Sequence, residues 1–395
     1  MKYKLSEIAL FNPTETLKKG TLAKKVGMDK LQPFCRDIPD YEIAEFSGGM
    51  KFRNGDTIMA RITPCLENGK TAKVNILDTE EVGFGSTEYI VFRAIDGVTD
   101  EDYLYYLVCS PIVRDIAIKS MVGSSGRQRV QTDVVKGIEV ELPTLDEQRK
   151  IGSLLKILDD KIAVNNEINE NLEQQIRSLF RLQFTDNPAL EKMKQVPLSD
   201  LCQIVTKGTT PTTLGKPFVK SGINFIKAES ILDSHAIDKN KFSFIDNETN
   251  ALLKRSVIKA GDIVFTIAGT LGRFALIDKN VLPANTNQAV AIIRVDAEKV
   301  LPEYIYACFI GGWHNHYYKK LVQQAVQANL SLTTIKSLPI PLLDESEMVN
   351  FTKLIIPLIK IIKQHEVQNE ILTSMRDTLL SKLMSGEIDV SKLDI

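Results

Sequence analysis

The residues best suited to chemistry in this sequence are arginine and amide side chains in a glycine-rich loop. Residues 123–132 read Gly-Ser-Ser-Gly-Arg-Gln-Arg-Val-Gln-Thr. Arginine binds guanine, and glutamine or asparagine binds adenine, through paired hydrogen bonds to the base edge in the major groove. The candidates for DNA contacts in this loop are Ser124, Ser125, Arg127, Gln128 and Arg129. A solvated polar loop without a ligand is the competing interpretation.

A second group of candidates lies beyond residue 200. Its amides and hydroxyls suit base edges, and its lysines suit DNA phosphates, which add affinity without sequence choice. The candidates are Lys207, Thr209, Thr210, Lys227, Arg273, Asn287, Gln324, Gln327 and Asn329, with Lys216 and Lys220 as further phosphate contacts. The amide-rich stretch ending at Asn329 precedes a long helical pattern, as residues 123–132 do.

The charge of the chain is unevenly distributed. Its net charge is -1, from 49 Lys and Arg against 50 Asp and Glu, which excludes a strongly basic histone-like binder. Residues 191–341 contain 18 basic against 12 acidic residues, and the remaining segments are slightly acidic. A phosphate backbone therefore attracts residues 191–341 most strongly.

The sequence lacks the familiar catalytic motifs. Gly69-Lys70-Thr71 resembles the end of a phosphate-binding loop, but Pro64 occupies the position of its opening glycine. The three-glycine dinucleotide pattern does not occur. The Asn-Pro dipeptides lack the second proline and the aromatic residue of adenine methyltransferase loops. We therefore expect no catalytic residues in this chain.

The elements that must position these loops repeat at an offset close to 200 residues. Asp146-Glu147 follows Leu-Pro-Thr-Leu, and Asp344-Glu345 follows Ile-Pro-Leu-Leu. Each Asp-Glu pair opens a long run with helical periodicity. Before each run, a Gly-Asp turn leads into an apolar strand. The repeat indicates a mixed globular domain followed by a long helix, present twice.

Both helical runs carry residues of a coiled-coil seam, spaced seven apart in two registers. The predicted seam residues are Leu155, Leu158, Ile162, Asn165, Asn169, Leu172, Ile176, Leu179, Ile355, Leu358, Ile362, His365, Asn369, Leu372 and Leu379. Their polar members weaken the packing but fix its register. Pro357 interrupts the second run, so the second helix starts or bends there.

These patterns predict an α+β fold of two mixed α/β domains, each followed by a long helix, with the helices packed as an antiparallel coiled coil. The predicted segments are a first domain (1–143), a central helical region (144–190), a second domain (191–341) and a C-terminal helical region (342–395). A helix of about 40 residues is roughly 60 Å long, longer than a small domain is wide.

Cysteine usage and hydropathy set further limits. The five cysteines are widely separated and odd in number, so we expect reduced thiols and no metal site. No stretch reaches the roughly 18 apolar residues of a membrane span, and no apolar signal core follows Met1. We therefore expect a cytoplasmic protein without membrane contact.

The whole pattern resembles the specificity (S) subunit of type I restriction-modification systems, over essentially the full length of the chain. The residues that carry the resemblance are the helix entry at 142–151, its second copy at 340–345, the closing run at 379–388, and the domain elements at 83–89 and 208–211. The second helix entry departs from the family pattern at residues 346–349, and the loop at 284–287 departs from the element at 83–89.

This resemblance implies a non-catalytic subunit with two target recognition domains, each reading one half of a split target in double-stranded DNA. The helices are then expected to dock two modification subunits, which carry the adenine methyltransferase, and two restriction subunits, which translocate and cut DNA. S-adenosylmethionine, ATP and Mg are implied to bind to these partners and none to this chain. The implied role is phage defence through DNA methylation and restriction.

Functions of other classes stay open from the sequence. A two-domain coiled-coil scaffold would bind proteins, and salt-sensitive binding to a duplex would argue against it. An enzyme with an unfamiliar site would show activity as the isolated chain. A specificity subunit of a methylation-only or other phage-defence complex would lack a restriction partner, which is encoded elsewhere.

Overall fold

The computed structural model describes residues 2–124, 126–186, 193–315 and 329–391. The chain divides into two compact units. Unit 1 comprises the residues up to Val164 and those from Asn369 onward, and unit 2 runs from Asn165 to Gln368. The predicted DNA contacts that lie outside the described residues are Ser125, Gln324 and Gln327.

Unit 1 contains two four-stranded sheets and a two-stranded ribbon. Its strands are β1 (Lys2–Lys4), β2 (Ala9–Phe11), β3 (Leu22–Val26), β4 (Glu42–Glu45), β5 (Lys51–Phe52), β6 (Thr57–Ala60), β7 (Thr71–Lys73), β8 (Gly83–Gly85), β9 (Tyr89–Ala94) and β10 (Glu139–Glu141). One sheet is antiparallel, in the order β2-β9-β6-β7. The other has the order β4-β3-β8-β5, with β3 and β8 parallel, and β1 pairs with β10.

Unit 2 repeats this arrangement. Its strands are β11 (Lys194–Pro197), β12 (Cys202–Lys207), β13 (Ile223–Ile226), β14 (Ser243–Ile245), β15 (Ile263–Thr266), β16 (Phe274–Leu276), β17 (Ala284–Thr286), β18 (Val290–Val295) and β19 (Pro339–Leu342). The sheet β12-β18-β15-β16 matches β2-β9-β6-β7 strand for strand. In the second sheet β13 again has one antiparallel and one parallel neighbour, and β11 pairs with β19. The repeated mixed domain predicted from the sequence is therefore confirmed.

The described part of the chain contains nine α-helices. They are α1 (Leu5–Ile8), α2 (Glu101–Cys109), α3 (Pro111–Lys119), α4 (Thr132–Lys136), α5 (Leu145–Phe180), α6 (Asn247–Leu252), α7 (Pro302–Ile310), α8 (Leu332–Lys336) and α9 (Glu345–Met384). A π-helical turn, Arg181–Thr185, extends α5. We call α5 the central helix and α9 the C-terminal helix.

Both long helices begin at a side-chain cap, which explains the acidic residues at their entries. The N–H of Thr144 donates to Glu147 Oε2 at 2.8 Å, and the N–H of Glu147 donates to Thr144 Oγ1 at 3.3 Å. This reciprocal pair is a capping box. At the second entry the N–H of Glu347 donates to Asp344 Oδ1 at 2.9 Å. The C-terminal helix therefore begins well before Pro357 and continues through it.

Within unit 1 the two long helices pack antiparallel. Lys150 of the central helix donates to the carbonyl of Val390 at 3.4 Å, and Asp159 pairs with Arg376 at 2.8 Å. The partner number falls as the central-helix number rises, which defines opposite directions. Leu155 is fully buried in the same core as the end of the C-terminal helix.

Unit 2 contains the other halves of the same helices, and they also run antiparallel. Asn165 Nδ2 donates to Gln368 Oε1 at 2.9 Å, and Asn169 Oδ1 lies 2.8 Å from His365 Nδ1. Leucines and isoleucines of both helices complete the main core of this unit. The predicted antiparallel coiled coil is confirmed.

Candidate nucleic-acid interface

The loop at residues 123–130 is held by the segment that follows β6 in unit 1. The N–H of Thr63 donates to the carbonyl of Gln128 at 3.0 Å. The N–H of Val130 donates to the carbonyl of Arg61 at 2.8 Å. Backbone hydrogen bonds thus fix the loop at Gln128 and Val130.

The two arginines of this loop have different surroundings. Arg129 donates to both carboxylate oxygens of Glu88, at 2.7 Å from Nη2 and 3.0 Å from Nε. This hydrogen bonding lowers the pKa of Glu88. Arg127 is exposed, and its guanidinium makes no hydrogen bond or ion pair to another residue that the structure describes. Arg127 is therefore available to a base edge. Arg129 would have to break its hydrogen bonds to Glu88 before it could bind a base.

The other candidates of this loop differ in exposure. Ser124 is exposed and Gln128 is half-buried. Glu88 belongs to the segment at residues 83–89 that resembles a recurring element of target recognition domains. The structure therefore brings this element and the predicted reading loop together. The prediction that the loop side chains contact bases stays a prediction.

In unit 2 two predicted segments meet where β12 and β17 end. The N–H of Gly208 donates to the carbonyl of Asn287 at 3.0 Å. A Cβ at position 208 would lie 1.8 Å from the carbonyl oxygen of Thr286, so only glycine fits there. The hydroxyl of Thr210 donates to the amide oxygen of Gln288. We call this cluster the polar edge of unit 2; its members are Lys207, Thr209, Thr210, Asn287 and Gln288.

The lysines of unit 2 differ in how firmly they are held. Lys207 is half-buried and has no ion-pair partner among the described residues. Lys227 lies 3.7 Å from Glu229 and 5.2 Å from the centroid of the Phe218 ring. Lys216 pairs with Glu248 at 2.7 Å, and Lys220 is exposed. Pairs at exposed positions contribute little free energy, so these lysines can exchange them for phosphates.

The last two described candidates lie outside the polar edge. Arg273 donates to both oxygens of Asp233, at 2.7 Å from Nε and 2.6 Å from Nη2. This bidentate pair orders a loop of unit 2 and occupies the guanidinium. Asn329 is exposed, and the next residue, Leu330, donates to the carbonyl of Ile267 at 2.9 Å. Base contacts by Arg273 and Asn329 stay predictions.

The predicted seam residues are all buried or half-buried. Those below one-tenth exposure are Leu155, Asn165, Leu172, Ile176, Ile355 and Ile362; the half-buried ones are Leu158, Ile162, Asn169, Leu179, Leu358, His365, Asn369, Leu372 and Leu379. Polar members contact each other within unit 2, as the Asn169 and His365 pair shows. This supports their role in setting register.

Sequence reasoning missed a buried ionic cluster in unit 1. Arg36 is 8% exposed and donates to Asp160 at 2.6 Å. Arg376 pairs with Asp159 at 2.8 Å, and the hydroxyl of Tyr106 donates to the same carboxylate at 2.7 Å. We call these five residues the unit 1 junction, since they join a domain loop, α2 and both long helices. Arg376 occupies a seam position, and a charge at such a position signals a buried partner.

Unit 2 has a junction of different composition at the corresponding place. His235 Nε2 lies 3.9 Å from Glu173 Oε2, and Lys363 pairs with Glu366 at 3.0 Å. Lys363 lies 5.8 Å from the centroid of the fully buried Tyr306 ring. Burial raises the pKa of Glu173 to about 7, and burial lowers the pKa of His235 to about 4. We call these five residues the unit 2 junction.

Each long helix also presents large apolar side chains to solvent. In unit 1 they are Ile157, Ile371 and Met375, exposed by 57%, 56% and 47%. In unit 2 they include Leu354 at 56% and Ile361 at 38%. Single exposed apolar residues are ordinary, but a series of them along one pair of helices is typical of an interaction surface.

No helix in the described ranges is sufficiently long and apolar to cross a lipid bilayer. Within the same ranges no three or more His, Cys, Asp or Glu side chains are grouped so that they could hold a metal ion.

Each unit combines a mixed α/β domain with an antiparallel pair of helix segments, which is the architecture of a duplicated two-domain protein. The family model for the type I restriction modification DNA specificity domain matches residues 1–174 and 190–372. The chain therefore belongs to this family, the predicted resemblance is confirmed, and DNA sequence recognition is the function of its family. Its relatives are specificity subunits, which are non-catalytic members of their complexes.

Two of the relatives are distant but match over most of their length. The HindI specificity subunit of Haemophilus influenzae is 23% identical, over 85% of this chain and 87% of the relative. The MjaIX specificity subunit of Methanocaldococcus jannaschii is 24% identical, over 75% and 71%. The crystal structure of a type I S subunit from M. genitalium matches with a TM-score of 0.57 and 16% identity, over 97% and 96% of the chains. This last likeness shows the fold alone.

Proposed function

We propose that this chain is the non-catalytic specificity subunit of a type I restriction-modification complex and reads a bipartite target in duplex DNA. The observation that carries the proposal is the duplicated domain. In each unit a predicted reading segment is hydrogen-bonded to the residues that follow the same sheet strand. These bonds are Thr63 to Gln128 after β6 and Leu330 to Ile267 after β15. Two half-sites read by two copies of one domain require this repetition.

In this proposal each unit reads bases with different side chains. Arg127 and Gln128 of unit 1 offer a guanidinium and an amide, which suit guanine and adenine respectively. The polar edge of unit 2 offers hydroxyls and amides beside Lys207. Its lysines supply phosphate contacts, which agrees with the basic composition of residues 191–341.

The exposed apolar residues of the long helices are proposed to dock two modification subunits and, in the complete complex, two restriction subunits. Burying Leu354 or Ile371 against a partner helix stabilises the complex by about 25 cal/mol per Å² of apolar area removed from water. S-adenosylmethionine, ATP and Mg are then bound by those subunits. In this proposal the complex acts in the cytoplasm.

The test is to map methylated adenines across the host genome by long-read sequencing, with this gene intact and deleted. The expected result is one split motif that loses methylation on deletion and regains it when the gene is restored. If the restored gene, expressed with its neighbouring subunits, restores methylation at no motif and the complex selects no sequence from random duplexes, the proposal is wrong.

A variant sharpens the test. Arg127→Ala should lower discrimination at one position of the first half-site by about tenfold, because a bidentate base contact contributes about 1 to 3 kcal/mol. Lys119→Ala is the matched control, since Lys119 is also an exposed cation of unit 1 but ends α3. Duplex selection with each complex measures both. Equal losses for the two variants would show that Arg127 supplies only charge.

A further inference from the structure

The unit 1 junction holds one loop of the first domain against the central helix. Arg36 lies in the loop between β3 and β4, and its Nη2 donates to Asp160 at 2.6 Å and to Asp37 at 2.9 Å. Its Nη1 lies 3.4 Å from the carbonyl of Lys156. A buried guanidinium with this set of acceptors fixes a single loop geometry.

The same loop is also held by the C-terminal helix. Arg376 Nη1 donates to Asp159 at 2.8 Å and to the carbonyl of Phe34 at 3.3 Å. One guanidinium therefore contacts the central helix and the domain loop together. Because Phe34 and Arg36 are two residues apart, each long helix holds one end of the same short segment.

Phe34 also contacts the loop that follows β6. Its N–H donates to the carbonyl of Gly69 at 2.9 Å. Its ring lies so close to Gly69 that a Cβ there would be 2.5 Å from it. Arg114 lies 5.2 Å from the centroid of the same ring and donates to the carbonyl of Glu67 at 2.8 Å. The segment at residues 61–69 is thus fixed at its far end by the junction.

The near end of that segment holds the predicted reading loop. Thr63 and Arg61 make the backbone bonds to Gln128 and Val130 described above. A continuous series of contacts therefore runs from the helix pair through Phe34 and residues 61–69 to residues 123–130. Contiguous packed and hydrogen-bonded groups of this kind can carry energetic coupling, which a double-mutant cycle measures.

We infer that Arg36 and Arg376 are positioning residues for reading the first half-site. Through the contacts described above, they fix the position of the 123–130 loop relative to the helix pair of unit 1. The inference rests on the proposed function and adds to it the residues that couple the helices to base recognition in unit 1. Small displacements matter because base-edge hydrogen bonds tolerate only a narrow range of donor positions.

The experiment compares Arg36→Asp, Asp160→Arg and the double charge exchange in the complete complex. Duplex selection and competition binding measure discrimination at every position of both half-sites. Each single variant should lose about tenfold of its discrimination at the first half-site, because a displaced contact loses most of its binding advantage. The double exchange should restore part of the lost discrimination, because the reversed pair can form again although Asp37 and Lys156 keep their charges. Discrimination at the second half-site should be unchanged in all three variants.

Two further variants keep the test decisive if a charge reversal fails to fold. Arg36→Lys retains the charge but not the forked geometry, and it should show a smaller loss at the same half-site. Lys30→Ala is the matched control, because Lys30 pairs with Asp40 in the same loop outside the junction. This variant should leave discrimination at both half-sites unchanged.

The outcomes are distinguishable. Loss confined to the first half-site, with rescue by the exchange, supports positioning. Equal loss at both half-sites, or lower melting temperature with unchanged discrimination, overturns it and leaves the junction a structural element. If the unaltered complex selects no sequence, the proposed function itself fails.

Discussion

The two domain-to-helix junctions occupy corresponding places in the repeat but differ in how their charged side chains are paired. In each, a buried tyrosine from the same helix of the repeat, Tyr106 or Tyr306, faces charged side chains of the long helices. In unit 1 Asp159 is contacted by both Arg376 and Tyr106. In unit 2 the half-buried Glu173 has its cationic partner, Arg177 at 3.4 Å, on its own helix.

The difference is visible in the pKa values. Burial lowers the pKa of Arg376, but Asp159 and Asp377 more than offset it, so that the pKa lies above its usual range. Burial raises the pKa of Glu173 to about 7 and lowers that of His235 to about 4. At neutral pH the His235 and Glu173 contact is therefore not an ion pair, although 3.9 Å separates them. One sheet topology thus tolerates a junction with a buried ion pair between the long helices and one in which a histidine and a carboxyl meet without forming an ion pair.

The largest effect on the free energy of unfolding is expected from a variant that breaks the ion pair of the unit 1 junction. Arg376→Met leaves Asp159, which is 6% exposed, without its cation. Removing one member of a buried pair costs about 3 to 5 kcal/mol. Urea denaturation should show this loss, and hydrogen exchange should rise in the peptides around residues 34–37 and 369–384.

The control for this prediction is Arg376→Met combined with Asp159→Asn. The asparagine is neutral and still offers an oxygen to Tyr106. Removing both charges should recover most of the lost free energy of unfolding, since no buried charge remains unpaired. A double variant no more stable than the single one would contradict the electrostatic explanation and favour lost packing.

The second prediction compares the two tyrosines. Tyr106→Phe removes the 2.7 Å hydrogen bond to a buried carboxylate and should cost about 1.5 to 3 kcal/mol. Tyr306→Phe keeps the ring beneath Lys363 and should change the free energy of unfolding by less than about 0.5 kcal/mol. Thermal denaturation of both variants measures the difference. Equal costs would mean that the hydroxyl of Tyr306 is as well bonded as that of Tyr106.

The sequence predicted the architecture better than these junctions. The repeat, the helix entries and the seam follow from local patterns, since periodicity and capping act over a few residues. Asp159 and Arg376 are 217 residues apart in the chain, and no local pattern pairs them. Arg376 stands seven residues after the predicted seam residue Asn369, but this spacing does not identify the residue that pairs with it.

The candidate reading residues illustrate the same limit. Arg127 and Arg129 are two residues apart and chemically identical, so the sequence treats them alike. The structure separates them, because Glu88 lies between β8 and β9 and binds Arg129 but not Arg127. The closeness of Gly208 to Asn287 was equally hidden, although a glycine in a polar loop is a signal of close backbone approach.

The smallest predicted effect is a pH dependence of the stability of unit 2, caused by Glu173 and His235. Because the pKa of Glu173 is raised from 4.5 to about 7, the folded state binds its proton more tightly than the unfolded state does. This carboxyl therefore destabilises unit 2 progressively as pH rises from about 4.5 to about 7, and the cost is complete above that range. The neutral His235 acts oppositely, since its lowered pKa makes unit 2 more stable as pH rises from about 4 to 6.5.

Glu173→Gln should therefore stabilise unit 2 at pH 8 by about 1 to 2 kcal/mol relative to the unaltered chain, and by much less at pH 5. Trp313, the only tryptophan of the chain, lies in unit 2 and reports its unfolding by fluorescence. Glu167→Gln is the control, because Glu167 is exposed on the same helix and its variant should behave alike at both pH values. A gain from Glu173→Gln that is equal at pH 5 and pH 8 would show that Glu173 stays ionised in the fold, and the two junctions would then differ in geometry and not in charge state.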